Sequence, residues 1–174
     1  MSTGGLTSRH LRELRGAKAP IDPLVAVGTS IELERTELGV QEALTIFLAG
    51  AECPYTCVFC DLWQHTLDGA TPEGAIPHQL QSAFADIDRS SGETIKLYNA
   101  SNFFDPRAVP ESDLESIAEL VSAFSRVVVE NHPKLTNTSC NQFADRLAGD
   151  LEVAIGLETV EPDAHALLNK GTSI

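Results

Sequence analysis

Polar and apolar residues alternate along Thr29-Ser30-Ile31-Glu32-Leu33-Glu34, the rhythm of a half-exposed strand, and Gly39 marks a turn into the next element. A peripheral hairpin is expected there. Ala43-Leu44-Thr45-Ile46-Phe47-Leu48 is a continuous apolar run ending at Gly50, the pattern of a strand buried on both faces in a parallel sheet. Leu80, Ala83, Phe84 and Ile87 then recur at helical spacing, which predicts an amphipathic helix over 77–89. After the turn signal Ser90-Ser91-Gly92, a second strand is expected over 94–98. Leu114, Ile117, Leu120, Val121 and Phe124 describe a second helix, and 126–129 a third strand. Ser139 is placed to cap a short helix carrying Phe143 and Leu147, with Gly149 as its stop. A fourth strand over 151–157 precedes a last helix, opened by Pro162 and closed by Gly171.

Strand and helix thus alternate four times, which predicts parallel strands with right-handed crossovers. Two architectures fit: an open doubly wound sheet, or part of a barrel. In both, ligands sit beyond the carboxyl ends of the strands. The unusual polar residues fall in those places: Cys53 to Cys60 after the first apolar strand, Asn99 to Asp105 after the second, Glu130 to His132 after the third, and Glu158 after the fourth. One mouth would gather them.

With 174 residues and 43% hydrophobic content, the chain can bury the core of one domain. Its formal net charge of −13, from 12 Lys and Arg against 25 Asp and Glu, gives no bulk positive field for nucleic acid or an anionic membrane. No apolar run reaches the length of a membrane span, and the polar start Met1-Ser2-Thr3-Gly4-Gly5 lacks the apolar core of a secretory signal. A cytoplasmic location is therefore expected. The segment 2–23 mixes basic residues with Gly and Pro and is expected to be an arm outside the core, with a short helix near 8–14.

Glu52-Cys53-Pro54-Tyr55-Thr56-Cys57-Val58-Phe59-Cys60 places three thiols on one short loop. Soft thiolates select zinc or iron-sulfur centres. A closed site wants four protein ligands, and the local sequence supplies three. Either a fourth ligand comes from elsewhere, with His65 or Cys140 completing a structural zinc site, or one corner stays open to bind a small molecule. Cys140 itself reads as a small buried apolar residue, and Trp63 as packing under the cysteine loop.

The C-x-x-x-C-x-x-C spacing, with Phe59 just before the last cysteine and an apolar strand just before the first, resembles the signature of the radical S-adenosylmethionine (SAM) superfamily. The resemblance runs from about Thr45 to Gly171. It implies a [4Fe-4S] cluster on Cys53, Cys57 and Cys60 whose open iron is chelated by SAM, which is cleaved to methionine and a 5′-deoxyadenosyl radical that abstracts hydrogen from substrate. Phe59 would then pack near the adenine. Asn99, Ser101 and Asn102 occupy the place of a Gly-Gly-Glu motif that receives the methionine amino group, although no Gly-Gly-Glu is present. Glu130 matches an acidic residue used at the SAM ribose or methionine end. Val153-Ala154-Ile155-Gly156-Leu157-Glu158-Thr159 and Asn169-Lys170-Gly171 are similar to the fourth strand and following helix, with Glu158 standing where a Gln binds SAM and Lys170 where an Arg approaches its carboxylate. Cys60-Asp61-Leu62-Trp63 and these variants resemble the branch of Elp3-like proteins and the archaeosine synthase radical SAM subunit.

The expected fold is α/β: about four of the six strand-helix units usual in that family, forming a partial TIM-like (β/α) barrel. A small N-terminal extension over 1–42 would precede the core at 43–174. A break after the fourth unit would strand an exposed parallel edge, so the chain is expected to be truncated. The implied partners are an electron donor such as a flavodoxin or ferredoxin and a substrate the sequence does not identify. A tRNA is one candidate, without support from the charge. The alternatives are a non-catalytic zinc-binding interaction module and a cluster-binding fragment without turnover.

Overall fold

The computed structural model describes residues 6–37, 39–85, 87 and 93–173. Its sheet has five strands in the order β1-β2-β3-β4-β5: β1 Gly28–Thr36, β2 Gly39–Leu48, β3 Thr94–Asn99, β4 Arg126–Glu130 and β5 Asp150–Ala154. β1 and β2 form the expected hairpin, paired antiparallel from Gly28↔Phe47 to Thr36↔Gly39. The remaining pairs are parallel. Helices follow the parallel strands in turn: α2 Ala75–Ala85, α3 Leu114–Leu120, α4 Thr138–Ala144 and α5 Pro162–Leu167, with α1 Ser8–Glu13 in the N-terminal arm. The expected helix over 77–89 begins two residues early, and its tail, with the Ser90-Ser91-Gly92 turn, lies outside the described residues.

The alternation of side chains across each strand separates two unlike faces. One carries Leu44, Ile46 and Leu48 of β2, Ile95 and Leu97 of β3, and Val127 and Val129 of β4. These pack against Ile76, Leu80 and Phe84 of α2, Ile117 of α3 and Phe143 of α4. Each such side chain, fully buried, stabilises the fold by about 1.5–3 kcal/mol. Phe103 joins this core, its ring 5.1 Å from that of Phe143.

The opposite face is layered by register. Nearest the strand starts, Arg126 lies level with Thr94 and Asp150; next come Thr45, Lys96, Val128 and Glu152; nearest the strand ends, Phe47 pairs with Tyr98, and Glu130 with Ala154. The two cations in the lower layers, Lys96 and Arg126, are paired with carboxylates. Lys96 bonds Glu34 at 2.5 Å and Glu32 at 3.3 Å, while Arg126 bonds Glu152 at 2.5 Å and lies 3.7 Å from Glu34. Burial pulls the Lys96 ammonium down, but the hydrogen bond to Glu34 and the neighbouring Tyr98 and Glu32 outweigh it and hold its pKa above the ordinary 10.5.

Several expectations need correction. The run 43–48 is not buried on both faces, because Phe47 is 39% exposed at the helix-free side. β2 starts at Gly39, since pairing with β1 draws the polar residues before Ala43 into the ladder. β5 ends at Ala154 instead of running to Leu157, and Glu158 turns into the left-handed region at φ 69°. α4 is capped by Asn137, whose side chain accepts from the Ser139 amide at 2.7 Å, so Ser139 is not the cap. The doubly wound alternative also fails: strand order never reverses, and α2, α3 and α4 cover a single face. No helix among the described residues is long and apolar enough to cross a membrane.

Candidate metal and cofactor site

The cysteine loop leaves the carboxyl end of β2 and is held from four sides. From the N-terminal arm, Arg15 donates to Glu52 at 2.6 Å and lies 5.0 Å over the Trp63 ring. Lys18 donates to Thr66 Oγ1 and to the Leu67 carbonyl, each at 3.1 Å. The basic arm therefore grips the loop, a role its sequence did not disclose. Trp63 is partly exposed and lies beneath a guanidinium.

From the end of α5, Asn169 Nδ2 donates to the Thr56 carbonyl and hydroxyl, both at 2.8 Å, and the Val58 amide donates to the Leu168 carbonyl at 3.0 Å. Asn169 and Gly171 both adopt positive φ, 52° and 79°. A Cβ on Gly171 would stand 3.1 Å from the Tyr55 ring, so glycine lets the two segments meet. From β4, the His132 ring stacks on Tyr55 at 3.7 Å, and its Nε2 contacts the Lys170 carbonyl at 2.9 Å. Burial pulls the His132 pKa down. Asn102, after β3, closes the set: its Nδ2 donates to Cys53 Sγ at 3.1 Å and its Oδ1 accepts from the His132 amide at 2.7 Å.

A cavity of about 380 Å³ opens at this mouth, lined by Cys53, Cys57, Cys60 and Phe59. Ser101, Glu130, Glu158 and Lys170 complete the predicted residues on its wall, with Asn102 and His132 beside them. Asn99 is the exception among the predicted contacts. Its Oδ1 accepts from the Ser101 amide at 3.2 Å, an Asx turn that folds the side chain back, and it lines the adjoining cavity instead. Neither proposed fourth zinc ligand lines the thiol cavity: Cys140 is in the hydrophobic core, and His65 lies on the adjoining cavity.

Burial pushes the Cys53 thiol up, opposed by its hydrogen bonds to the Tyr55 backbone and Asn102. Burial also raises Cys57, opposed by the Lys170 ammonium. Glu130 is raised by burial, with Lys96 acting in the other direction. Lys170 Nζ donates to Glu158 Oε1 at 2.9 Å, so the two residues predicted to touch a ligand separately hold one another. Gly156 makes room for that pair: a Cβ there would stand 2.5 Å from Glu158 Oε1 and 3.3 Å from Lys170 Nζ. Among the described residues, no group of three or more His, Cys, Asp or Glu side chains is drawn together tightly enough to share a single metal ion.

The residues fit a larger group on two further observations. Ser101 Oγ is buried beside the cavity without a hydrogen-bond partner among the described residues, a cost that a bound polar ligand would remove. Three soft sulfur donors stand on the same wall as a cation and two carboxyls, so metal-binding thiols and charges complementary to a zwitterion face one space. Asn102, Asn169, Arg15 and Lys18 were missed as supports of the loop; only the positive-φ pair Asn169 and Gly171 left a readable trace, as an Asn-x-Gly helix stop. No protein-family model, curated protein or solved structure matches the chain.

Proposed function

We propose that the chain is the cofactor-binding core of a radical SAM enzyme, with Cys53, Cys57 and Cys60 holding a [4Fe-4S] cluster. The observation that carries this reading is the single cavity shared by all three thiols, Phe59, Glu130, Glu158 and Lys170. Three thiols on one cavity suit a four-iron cluster with one open corner, whereas a structural zinc ion wants a fourth protein ligand. The absence of His65 and Cys140 from its lining also weighs against a closed four-ligand zinc site among the described residues. We further read β2 to β5 with their helices as four units of a partial TIM-like barrel. Support comes from the unreversed strand order and from helices on one face with ion-paired charges on the other.

When bound, the cluster and SAM supply reductive cleavage of the sulfonium and hence a 5′-deoxyadenosyl radical. The protein's part is placement and exclusion of water. Asn102 donates a hydrogen bond to the Cys53 sulfur, an interaction that tunes the potential of such centres. Lys170, now paired with Glu158, would offer its ammonium to the methionine carboxylate of SAM. Ser101 would offer its unpartnered hydroxyl to a polar group of the bound cofactor. Phe59, 52% exposed at the mouth, gives adenine an apolar face to cover. Glu130, on the same wall, would be available to the ribose. Electrons would come from a cytoplasmic flavodoxin or ferredoxin; a tRNA remains a candidate substrate that the net charge of −13 does nothing to attract.

Anaerobic reconstitution with iron and sulfide tests the reading. The expected result is a broad sulfur-to-iron charge-transfer absorbance that changes when SAM is added and is lost in Cys53→Ser, Cys57→Ser or Cys60→Ser. Stoichiometric zinc with no cluster would sink it.

A further inference from the structure

The thiol cavity is not alone at this mouth. A second cavity of about 400 Å³ adjoins it across Glu130, which lines both. Its wall is built mainly from Val27, Phe47, Leu48, Leu62 and Tyr98. Three of these are large apolar side chains left open: Val27 is 45%, Phe47 39% and Leu62 47% exposed. The Phe47 and Tyr98 rings meet edge to face at 6.4 Å and present a ready aromatic surface. Such a wall has no use in holding iron, and it is the part of the mouth that the cluster and SAM do not absorb.

The polar groups on the wall set the ligand's chemistry. Asn99 is 5% exposed, and its Nδ2 has no hydrogen-bond partner among the described residues, while its Oδ1 is already occupied by the Ser101 amide. A buried donor without an acceptor is costly, so the site wants a ligand acceptor at its inner end. A cation is disfavoured at the aromatic wall, because Lys96 Nζ already lies 5.9 Å from the Tyr98 ring centroid and would repel it. An anion would meet the Glu130 carboxyl, with the His65 imidazole as the one basic side chain and no Lys or Arg among the described residues on the wall.

We propose that this second cavity binds an uncharged, largely aromatic molecule, stacked on Phe47 and Tyr98 and accepting a hydrogen bond from Asn99 Nδ2, beside the thiol site. The inference rests on the radical SAM reading only in making this molecule the substrate; the binding itself does not need the cluster.

The test uses the full chain without iron or SAM, with three bicyclic probes that differ in the polar group: 2-naphthamide, 2-naphthoate and 2-naphthylmethylammonium. Titration calorimetry should show 2-naphthamide binding tightest. Phe47→Ala and Leu62→Ala, both at exposed positions, should weaken it about tenfold, the worth of a lost aromatic or apolar contact. Asn99→Ala should weaken the amide but not the ammonium probe, which has no acceptor to offer Asn99 Nδ2, whereas Leu33→Ala, 74% exposed on the far face of the hairpin, should change nothing. The proposal is overturned if 2-naphthamide does not bind up to its solubility, if either ion binds as tightly, or if Phe47→Ala and Leu62→Ala both leave binding unchanged. Failure to assemble a cluster alongside normal 2-naphthamide binding would sink the radical SAM reading and leave this site standing. The converse result would do the opposite.

Discussion

Replacing Asn169 should loosen the cysteine loop without unfolding the protein. Its Nδ2 donates to the carbonyl and hydroxyl of Thr56, which is 1% exposed, so deletion leaves buried acceptors unpaired. That costs about 1–3 kcal/mol. The backbone contributes separately, because Asn169 sits at φ 52°, where Asn is tolerated, Gly is free, and a residue such as Ala pays about 1–2 kcal/mol. Asn169→Gly therefore isolates the side-chain loss at about 2 kcal/mol, roughly thirtyfold in a local opening constant, and Asn169→Ala adds about tenfold more. Hydrogen exchange at the Val58 amide, bonded to the Leu168 carbonyl, reports the opening directly. The amides of Ile95 and Leu97, deep in β3, should exchange as before. If Val58 exchange is unchanged in Asn169→Gly, or if all three amides accelerate together, α5 is not the clamp described.

Lys96 makes the stability of the sheet depend on alkali. Its folded pKa lies above 10.5, so its contribution is fully present below about 10.4 and is lost as pH rises through the higher folded value. Urea midpoints measured from pH 9 to 12 should fall steeply in the wild type and less steeply in Lys96→Met; parallel curves would contradict the ion-pair account. Gly156→Ala should shift the melting temperature by no more than about 2–4 °C, since the obstructing atoms are ends of flexible side chains. It should still weaken SAM binding to the reconstituted protein about tenfold or more, one displaced charged hydrogen bond of about 1.5–3 kcal/mol. Unaltered affinity would show that the Glu158 and Lys170 arrangement does not matter to the ligand.

Much of the architecture was legible because it depends on local periodicity. The apolar run 43–48, the helical spacing of Leu114 and Ile117, and Pro162 at a helix start each specify an element through its own residues. The gathering of Cys53, Ser101, Glu130 and Glu158 at one mouth also followed, since parallel strands place their carboxyl ends together. What escaped depends on partners distant in sequence. Nothing local to Phe47 says that its face lacks a helix, and nothing local to Lys96 announces Glu34 across two strand pairings. Asn99 and Asn102 looked equivalent; an Asx turn directs one to the aromatic cavity, while the other reaches Cys53. Arg15 and Lys18 read as parts of a solvated arm, yet a chain reversal of more than thirty residues brings Arg15 to Glu52.

The most direct measurement of the central claim is 5′-deoxyadenosine formed by the anaerobically reconstituted full chain with SAM and a strong one-electron reductant. The account predicts its formation in the wild type and in Cys140→Ser, and its loss in each of Cys53→Ser, Cys57→Ser and Cys60→Ser. A fully loaded cluster that leaves SAM uncleaved, or cleavage that survives loss of any one of the three cysteines, would contradict it.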